Sequence, residues 1–341
     1  MKKLILWTRY GKLGASSRLR FYNFVPFLEN AGWQVELHNF FTDSYLHKLY
    51  SGGRKSIPAL FTAWRKRLKE MAAAPADIPA LIEYELLPYL PFAAEKKFLN
   101  SRRFVLNFDD DVFLRYRNMP LLKNKFPELL RRSSGVICAN EHLLQTAGKW
   151  QSNLCKIPTV PPPVLPEKVA KASRFTVVWT GNPATFPYLA VHAGILRKAA
   201  EKCDFQLLIV GGGKTLPGVD CRLIPWSEKN EDHALKYAHA GIMPLPDTPF
   251  ARGKSAYKLI RYLQYGLPAV ASPVGENLRV LQHGVTGFHA GSAAEWTDAL
   301  CRLSNPGVRG NMGSAIAAAA DKYRPEYAAE TLDEFLTAAL F

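Results

Sequence analysis

Lys254, Lys258 and Arg261 recur at i, i+4 and i+7 in the segment GKSAYKLIRYLQYGLPAVASPVGENLRVLQHGVTGF, residues 253–288. On a helix this spacing sets three cations on one face, with the first of them in the opening turn. Like charges one turn apart destabilise a helix by about 0.2–0.5 kcal/mol, and a cation at the positive end of the macrodipole adds a similar cost. The arrangement therefore predicts a multiply charged anion at the helix start, where free N–H groups also point. A nucleoside diphosphate meets that demand. An isolated KxxxKxxR would read as a solvated surface, and the flanking residues argue against that here. The helix opens behind Gly253 and Ser255, a short strand of small residues follows, and then comes PVGEN. There Gly275 lets backbone approach a ligand, while Glu276 and Asn277 open the next helix.

A second group of chemically competent residues lies in the first half. Asp109, Asp110 and Asp111 follow the apolar run RFVLNF, so they fall at the end of a strand. Crowded carboxylates raise one another's pKa, which makes Asp109 or Asp110 a candidate base for a hydroxyl group. Helix capping is the competing use of the same residues. Such a cluster also suits a divalent cation, but no second acidic group or histidine follows at ligand spacing, so no metal site is expected. Glu85, just past another strand end, is a second acceptor-side candidate. Gly11 and Gly14, with Ser16, Ser17, Arg18 and Arg20, occupy a strand-to-helix turn in which Gly14, Ser16 and Arg18 could receive phosphate or acceptor. In the second half, Thr180, Gly181 and Asn182 terminate a strand and offer backbone contacts. His38, His142 and His283 are single histidines without a sequence partner and read as structural or surface residues.

Elements that position these groups alternate along the chain. Apolar strands at LILWT, VELHNF, ALIEYE, RFVLNF and GVICAN are separated by helical patterns, among them one from about Ser17 to Asn30. Alternation of this kind calls for a parallel, doubly wound sheet. Residues 158–166 then hold five prolines, which neither a helix interior nor a central strand accommodates. A second series follows: FTVVWTG, FQLLIVGGG, CRLIPW, AGIMPL, PAVAS and GFHA. The expected division is 1–157, a linker at 158–174, 175–310, and C-terminal helices at 311–341, the last leaning back on the first domain. Two Rossmann-like domains in one α/β chain, facing a central cleft, are the predicted architecture.

Composition agrees with two packed domains: 341 residues, 48% apolar and 21% charged. The basic start MKKLILWTRY carries too short an apolar run for a signal peptide, and no apolar stretch approaches the roughly 20 residues of a transmembrane helix. Five cysteines without CxxC or metal spacing point to a reducing compartment, the cytoplasm by default. The net charge of +15 is uneven, since residues 1–150 carry 24 Lys+Arg against 13 Asp+Glu. Within that half, residues 54–74 combine Leu60, Phe61, Trp64, Leu68 and Met71 with Arg65, Lys66, Arg67 and Lys69. This is the composition of a helix lying on an anionic membrane, or of an amphipathic helix packed on a sheet with a basic outer face. No zinc-finger, RNP-type or helix-turn-helix pattern accompanies the basic charge, so nucleic acid is not the expected partner.

The order WTGNPATFPYL, LLIVGGG, GIMPLPD and GKSAYKLIRYLQYGLPAVASPVGENLRVLQHGVTGF resembles the carboxyl domain of GT-B glycosyltransferases of family 4, and more closely a subgroup active in surface polysaccharide assembly. The likeness is strong over about 110 residues. It is looser in the first half, through GASSRLRFYNF, EYELLP, FDDDVF and the segment around Cys138 to Leu143. The resemblance implies transfer of a sugar from a nucleotide-sugar, most simply UDP-linked, to a glycan or lipid-linked acceptor, with retention and without a required metal or other cofactor. It assigns the leaving diphosphate to Lys254 and Lys258, and donor contacts to Thr180, Gly181, Asn182, Gly253, Ser255, Arg261, Gly275, Glu276 and Asn277. One departure stands out. Where many members place two glutamates eight positions apart, this chain has Gly253 and Arg261, which accept no hydrogen bond from a hydroxyl. Glu276 is the expected substitute at the sugar. The resemblance also leaves open a nucleotide-sugar epimerase, or a binding protein that has lost turnover. Cytoplasmic placement, peripheral at the inner membrane, completes the expectation.

Overall fold

The computed structural model describes residues 2–51, 53 and 56–341, which fall into two compact units. The first comprises residues 1–162, 253–255 and 325–341, and the second residues 163–252 and 256–324. Each is built on one six-stranded sheet whose paired strands all run parallel.

In the first unit the strands are β1 (Lys2–Thr8), β2 (Trp33–Asn39), β3 (Ala80–Glu83), β4 (Phe104–Phe108), β5 (Gly135–Cys138) and β6 (Leu154–Lys156), in the order β2-β1-β3-β4-β5-β6. β3, β4 and β5 are buried at every position, as a parallel sheet covered on both faces requires. Leu6 pairs with Leu81 and Leu106 with Val136, which keeps the apolar runs in register across the sheet centre. The helical pattern read from Ser17 to Asn30 is broken in three: Ala15–Arg20, a 3-10 turn at Tyr22–Phe24, and Val25–Asn30. Phe21, at φ −130° and ψ −65°, interrupts the first piece, and Pro26 restarts the chain at the second position of the last. The helix Pro325–Leu340 belongs to this unit. Its Asp333 accepts from the Trp33 indole at 2.6 Å, its Thr337 accepts from Lys2 Nζ at 2.8 Å, and Phe335 sits where a side chain on Gly135 would need to be.

In the second unit β7 (Thr176–Thr180), β8 (Gln206–Val210), β9 (Cys221–Ile224), β10 (Ala240–Met243), β11 (Ala269–Ala271) and β12 (Gly287–His289) take the order β12-β11-β10-β7-β8-β9. The order reverses between β7 and β10, and in the first sheet between β1 and β3. At such points the loops leaving two neighbouring strands diverge and open a crevice at the carboxyl edge. Tyr262, on the helix Tyr257–Gln264, lies so close to β10 that a Cβ on Gly241 would come within 2.3 Å of its ring. Its hydroxyl donates to the Ile242 carbonyl at 3.1 Å, which fixes the cationic helix against the sheet.

Part of the positive charge of the first half is internal. Arg9, Arg20, Arg67 and Lys125 are all buried. Arg67 donates to the carbonyls of Thr8 and His38 at 3.0 and 3.2 Å and stacks on Trp7, while Lys66 donates to the Asn39 carbonyl at 2.7 Å. Of the basic helix read at residues 54–74, Arg54 and Lys55 lie outside the described residues, and the helix itself runs Ile57–Ala73. Arg67 faces inward on it, so Arg65 and Lys69 carry the charge of its outer side.

Candidate active site

At the carboxyl edge of the second sheet the loops meet at glycines. A Cβ added to Gly211, which sits at φ +80°, would come within 2.2 Å of the Gly181 carbonyl oxygen, so the loops leaving β7 and β8 touch main chain to main chain. Gly181 has the Trp179 indole and the Thr185 hydroxyl in its own Cβ position. A Cβ on Gly275, at φ +57°, would come within 2.5 Å of the Arg252 carbonyl oxygen. Only glycine fits the contacts at Gly211 and Gly275, both at positive φ, while the Gly181 and Gly211 amides donate to the Val210 and Ile224 carbonyls at 2.9 Å each. Lys258, in the first turn of Tyr257–Gln264, holds its ammonium 5.5 Å from the centre of the Trp179 ring, which brings a cation to the end of β7.

The cationic stripe read from the sequence does not form as a helical face. Ala256 takes a left-handed conformation at φ +53°, so the helix starts at Tyr257 and Lys254 and Ser255 precede it. Arg261 is on the helix but turns inward, 3.8 Å from Glu231 Oε2, donating to Gln264 at 2.6 Å and lying over the Tyr265 ring. Lys258 therefore keeps the expected location and Arg261 becomes a packing residue. Among the other candidates, Thr180 is buried at the end of β7. Asn182 accepts from the Thr185 amide at 3.0 Å, which closes the turn after β7. The helix expected after Gly275 is one turn, Asn277–Val280. Asn277 spends its amide on the Ser272 carbonyl at 3.0 Å, and Glu276 is buried 3.8 Å from Arg279.

The carboxyl edge of the first sheet is built from charged side chains instead. Glu83 closes β3 and accepts from the Arg9 amide at 2.6 Å and the Ser17 hydroxyl at 2.5 Å; burial raises its pKa. Tyr84 follows with φ +62°, a conformation that costs a non-glycine residue about 1–3 kcal/mol and marks a strained turn. Its hydroxyl donates to Asp109. Burial, then the charges of Asp110 and Glu83, push the Asp109 carboxyl up to about 7. Asp110 faces Lys254 Nζ at 3.2 Å. Asp111 is buried and meets His142 Nε2 at 2.9 Å. Asn140 caps the helix Glu141–Ala147 by accepting from the Leu143 amide at 2.9 Å, and its own amide donates to the Gly253 carbonyl at 2.7 Å. A Cβ on Gly253 would strike Asp111 Cβ at 2.6 Å, so that glycine is required by packing.

Glu85 is not an exposed candidate. Its carboxylate has no exposed side-chain surface and is held by Lys125 at 2.7 Å, Arg115 at 3.4 Å, Arg9 at 3.5 Å and the Tyr116 hydroxyl at 2.9 Å; Lys125 in turn meets Glu95 at 2.7 Å. Despite burial, these cations hold the Glu85 pKa below the usual carboxylate range. The glycine turn is likewise occupied by its own contacts. Arg18 donates to the Lys12 carbonyl at 2.9 Å, the Tyr10 amide donates to Ser17, and a Cβ on Gly14 would strike Tyr10. Ser16 is half-buried in the first turn of Ala15–Arg20. The sequence reading passed over Asn140, Tyr84 and the Asp111–His142 pair. The only available signal was that both segments, FDDDVF and ANEHL, end neighbouring strands.

Known proteins resemble this chain in fold and in its second unit. Residues 174–305 match the family model described as glycosyl transferases group 1. Among solved structures, sucrose-phosphate synthase from Thermosynechococcus elongatus superposes with a TM-score of 0.73 at 14% identity, covering 99% of each chain. Anabaena HepE, solved in complex with UDP and glucose, gives 0.64 at 13% identity over 99% of this chain and 100% of its own. A glycosyltransferase from Rickettsia africae gives 0.61 at 11% identity over 98% of each. No curated protein matches by sequence. The fold is the GT-B fold of these structures, and the second unit carries the match to the glycosyl transferases group 1 model. The matched residues span the motifs from WTG to GVTGF that carry the family 4 resemblance.

Proposed function

We propose that this protein moves a sugar from a UDP-linked donor to a hydroxyl of a glycan or lipid-linked acceptor, with retention at the anomeric carbon and without a metal, in the assembly of surface polysaccharide or glycoconjugate. The observation that carries the reading is the pair of glycines, Gly181 and Gly211, whose main chains meet after β7 and β8, with Lys258 at the same strand end. A diphosphate and sugar need close main-chain approach and a fixed cation, and this edge offers both within the group 1 domain. UDP is favoured as carrier because HepE was solved with UDP and glucose. As the anomeric bond breaks, negative charge grows on the β-phosphate. Lys258 acts on that charge and stabilises the departing group. Glu276 and Asn277 bound the donor pocket. Thermal-shift screening against UDP, GDP, dTDP and ADP tests the reading, since a ligand selective for the native state raises its stability. UDP should give the largest shift, and Lys258→Ala should weaken its binding by about 1.5–3 kcal/mol, the range for hydrogen bonds to charged groups. No shift with any nucleotide would refute it.

We further propose peripheral attachment at the cytoplasmic face of a membrane. Supporting this, Ile57, Phe61 and Leu68 are 70%, 57% and 46% exposed on the helix Ile57–Ala73, and Arg65 and Lys69 adjoin them. Among the described residues no helix is long and apolar enough to cross a membrane. The full-length protein should sediment with anionic vesicles more than with neutral ones, and raised salt should reverse it. Equal partition into both would reduce that helix to packing.

A further inference from the structure

The loop that leads from β4 into the helix Lys125–Arg132 holds apolar side chains out in solvent. Leu121 is 85% exposed and Met119 43%, and Pro120 between them is exposed as well. A lone exposed leucine needs no explanation, but this one is fixed in place. Leu122 is buried beneath the loop, the Met119 amide donates to the Tyr116 carbonyl at 3.0 Å, and the Leu122 and Lys123 amides donate to the Met119 carbonyl at 2.9 and 2.8 Å. Both ends of the loop are tied to one buried carboxylate. Tyr116 donates to Glu85 at 2.9 Å from one end, and Lys125 meets it at 2.7 Å from the other. A loop closed in this way keeps Met119 and Leu121 outside the core.

The charge around these side chains has one sign. Residues 112–127 hold four cations, Arg115, Arg117, Lys123 and Lys125, and no acid. Arg115 and Lys125 pair with Glu85, whereas Arg117 and Lys123 are exposed on either side of the apolar tip. An apolar tip between cations is complementary to an anionic bilayer, where the apolar groups enter the acyl boundary and the cations stay among the headgroups. The loop also continues a surface already described. On the helix Ile57–Ala73, Lys66 and Arg67 reach the carbonyls of Asn39 and Thr8, the last residues of β2 and β1, before the chain runs back to the start of β3. Ile57 and Phe61 therefore stand beyond the carboxyl edge of the first sheet, the edge from which residues 109–124 also leave. Between the two, the Phe61 ring meets Trp64 edge-on at 5.2 Å, the Trp64 indole donates to the Pro88 carbonyl at 2.9 Å, and the Tyr89 amide donates to the Tyr116 hydroxyl at 2.8 Å.

We propose that residues 117–123 form a second membrane contact, entering the headgroup layer of an anionic bilayer together with Ile57 and Phe61, so that the first unit stands on the membrane by the carboxyl edge of its sheet. This rests on the peripheral attachment proposed above. One helix leaves the unit free to roll about the helix axis, and a second point fixes its orientation.

The test uses the full chain with vesicles of phosphatidylcholine alone or mixed with an equal part of phosphatidylglycerol. Leu121→Ser should lower partition into the mixed vesicles about tenfold, the effect of a leucine no longer buried, and Met119→Ser should lower it less. Arg117→Gln and Lys123→Gln should each lower it about fivefold and leave the weaker binding to phosphatidylcholine unchanged. Val191→Ser, which removes an apolar side chain 70% exposed on the second unit, should change neither. Hydrogen exchange at residues 117–123 should slow when the mixed vesicles are added. Each variant replaces an exposed side chain, so its Tm should match that of the parent. Should the parent sediment with the mixed vesicles while Leu121→Ser and Arg117→Gln do so within twofold of it, the helix is the sole contact; the inference is overturned and the attachment stands. A parent that does not sediment with them overturns both. Self-association of the parent without lipid, lost in Leu121→Ser, would assign the loop to a second copy of the chain and overturn the inference as well.

Discussion

The two sheets have the same number of strands, the same parallel pairing and the same kind of order reversal, yet their carboxyl edges are made of opposite materials. The second edge is backbone: Gly181 against Gly211, Gly275 against Arg252, with Lys258 nearby. The first is side chain: Glu83, Glu85, Asp109, Asp110 and Asp111 met by Arg9, Lys125, Lys254 and His142. An edge of peptide groups can approach a ligand closely and read its shape and charge. An edge of paired carboxylates holds its own loops in place by charge. One architecture thus serves two tasks, and the difference lies in a few residues after each strand.

The comparison can be broken at three points of decreasing size. Lys125→Met leaves Glu85 and Glu95 facing each other without their shared cation, and breaking a buried pair in this way costs about 3–5 kcal/mol. Chemical denaturation should show that loss, and the triple change with Glu85→Gln and Glu95→Gln should recover much of it. An unchanged midpoint would mean that the first edge does not depend on its charges. Gly211→Ala asks the corresponding question of the second edge. The new Cβ meets a carbonyl that cannot rotate away, at a φ that alanine resists, so a loss of about 2–3 kcal/mol and of UDP binding is expected by the same methods. Unaltered UDP affinity would show that close main-chain approach is not what the glycine provides.

The smallest effect sharpens the electrostatic side. Because the folded Asp109 titrates at about 7, above the ordinary carboxylate value, the native state binds more protons than the unfolded chain between those two values. Its contribution to stability is present at low pH and is lost as pH rises through 7. Asp109→Asn should therefore raise Tm at pH 8 by about 2–4 °C, corresponding to roughly 1 kcal/mol, and change it little at pH 4. An equal effect at both values would contradict the titration.

Strand positions were readable from the chain because parallel buried strands are written as plain apolar runs. LILWT, RFVLNF, FTVVWT and FQLLIV all fall on strands, and only Leu154–Lys156, three residues with a lysine, gave no such signal. Site residues at glycines were readable for a similar reason, since Gly181 and Gly275 announce close approach by their type. What stayed hidden depended on single backbone angles and long-range partners. Ala256 in the left-handed region removes Lys254 from the helix, and no propensity predicts that for alanine. The burial of Arg9, Arg20 and Arg67 had no local signal because their partners, Glu85, Asn107, the Ile157 carbonyl and the Thr8 carbonyl among them, lie far away in sequence. His142 looked solitary because its partner precedes it by 31 positions.

The helix Pro325–Leu340 packs on strands that precede it by some 300 residues in the chain. During translation the lobe that begins first is therefore completed last. The second lobe has all of its own strands and helices before that closing segment emerges, so it can mature while the earlier one still exposes the groove around Trp33 and Gly135 to chaperones or to neighbouring chains.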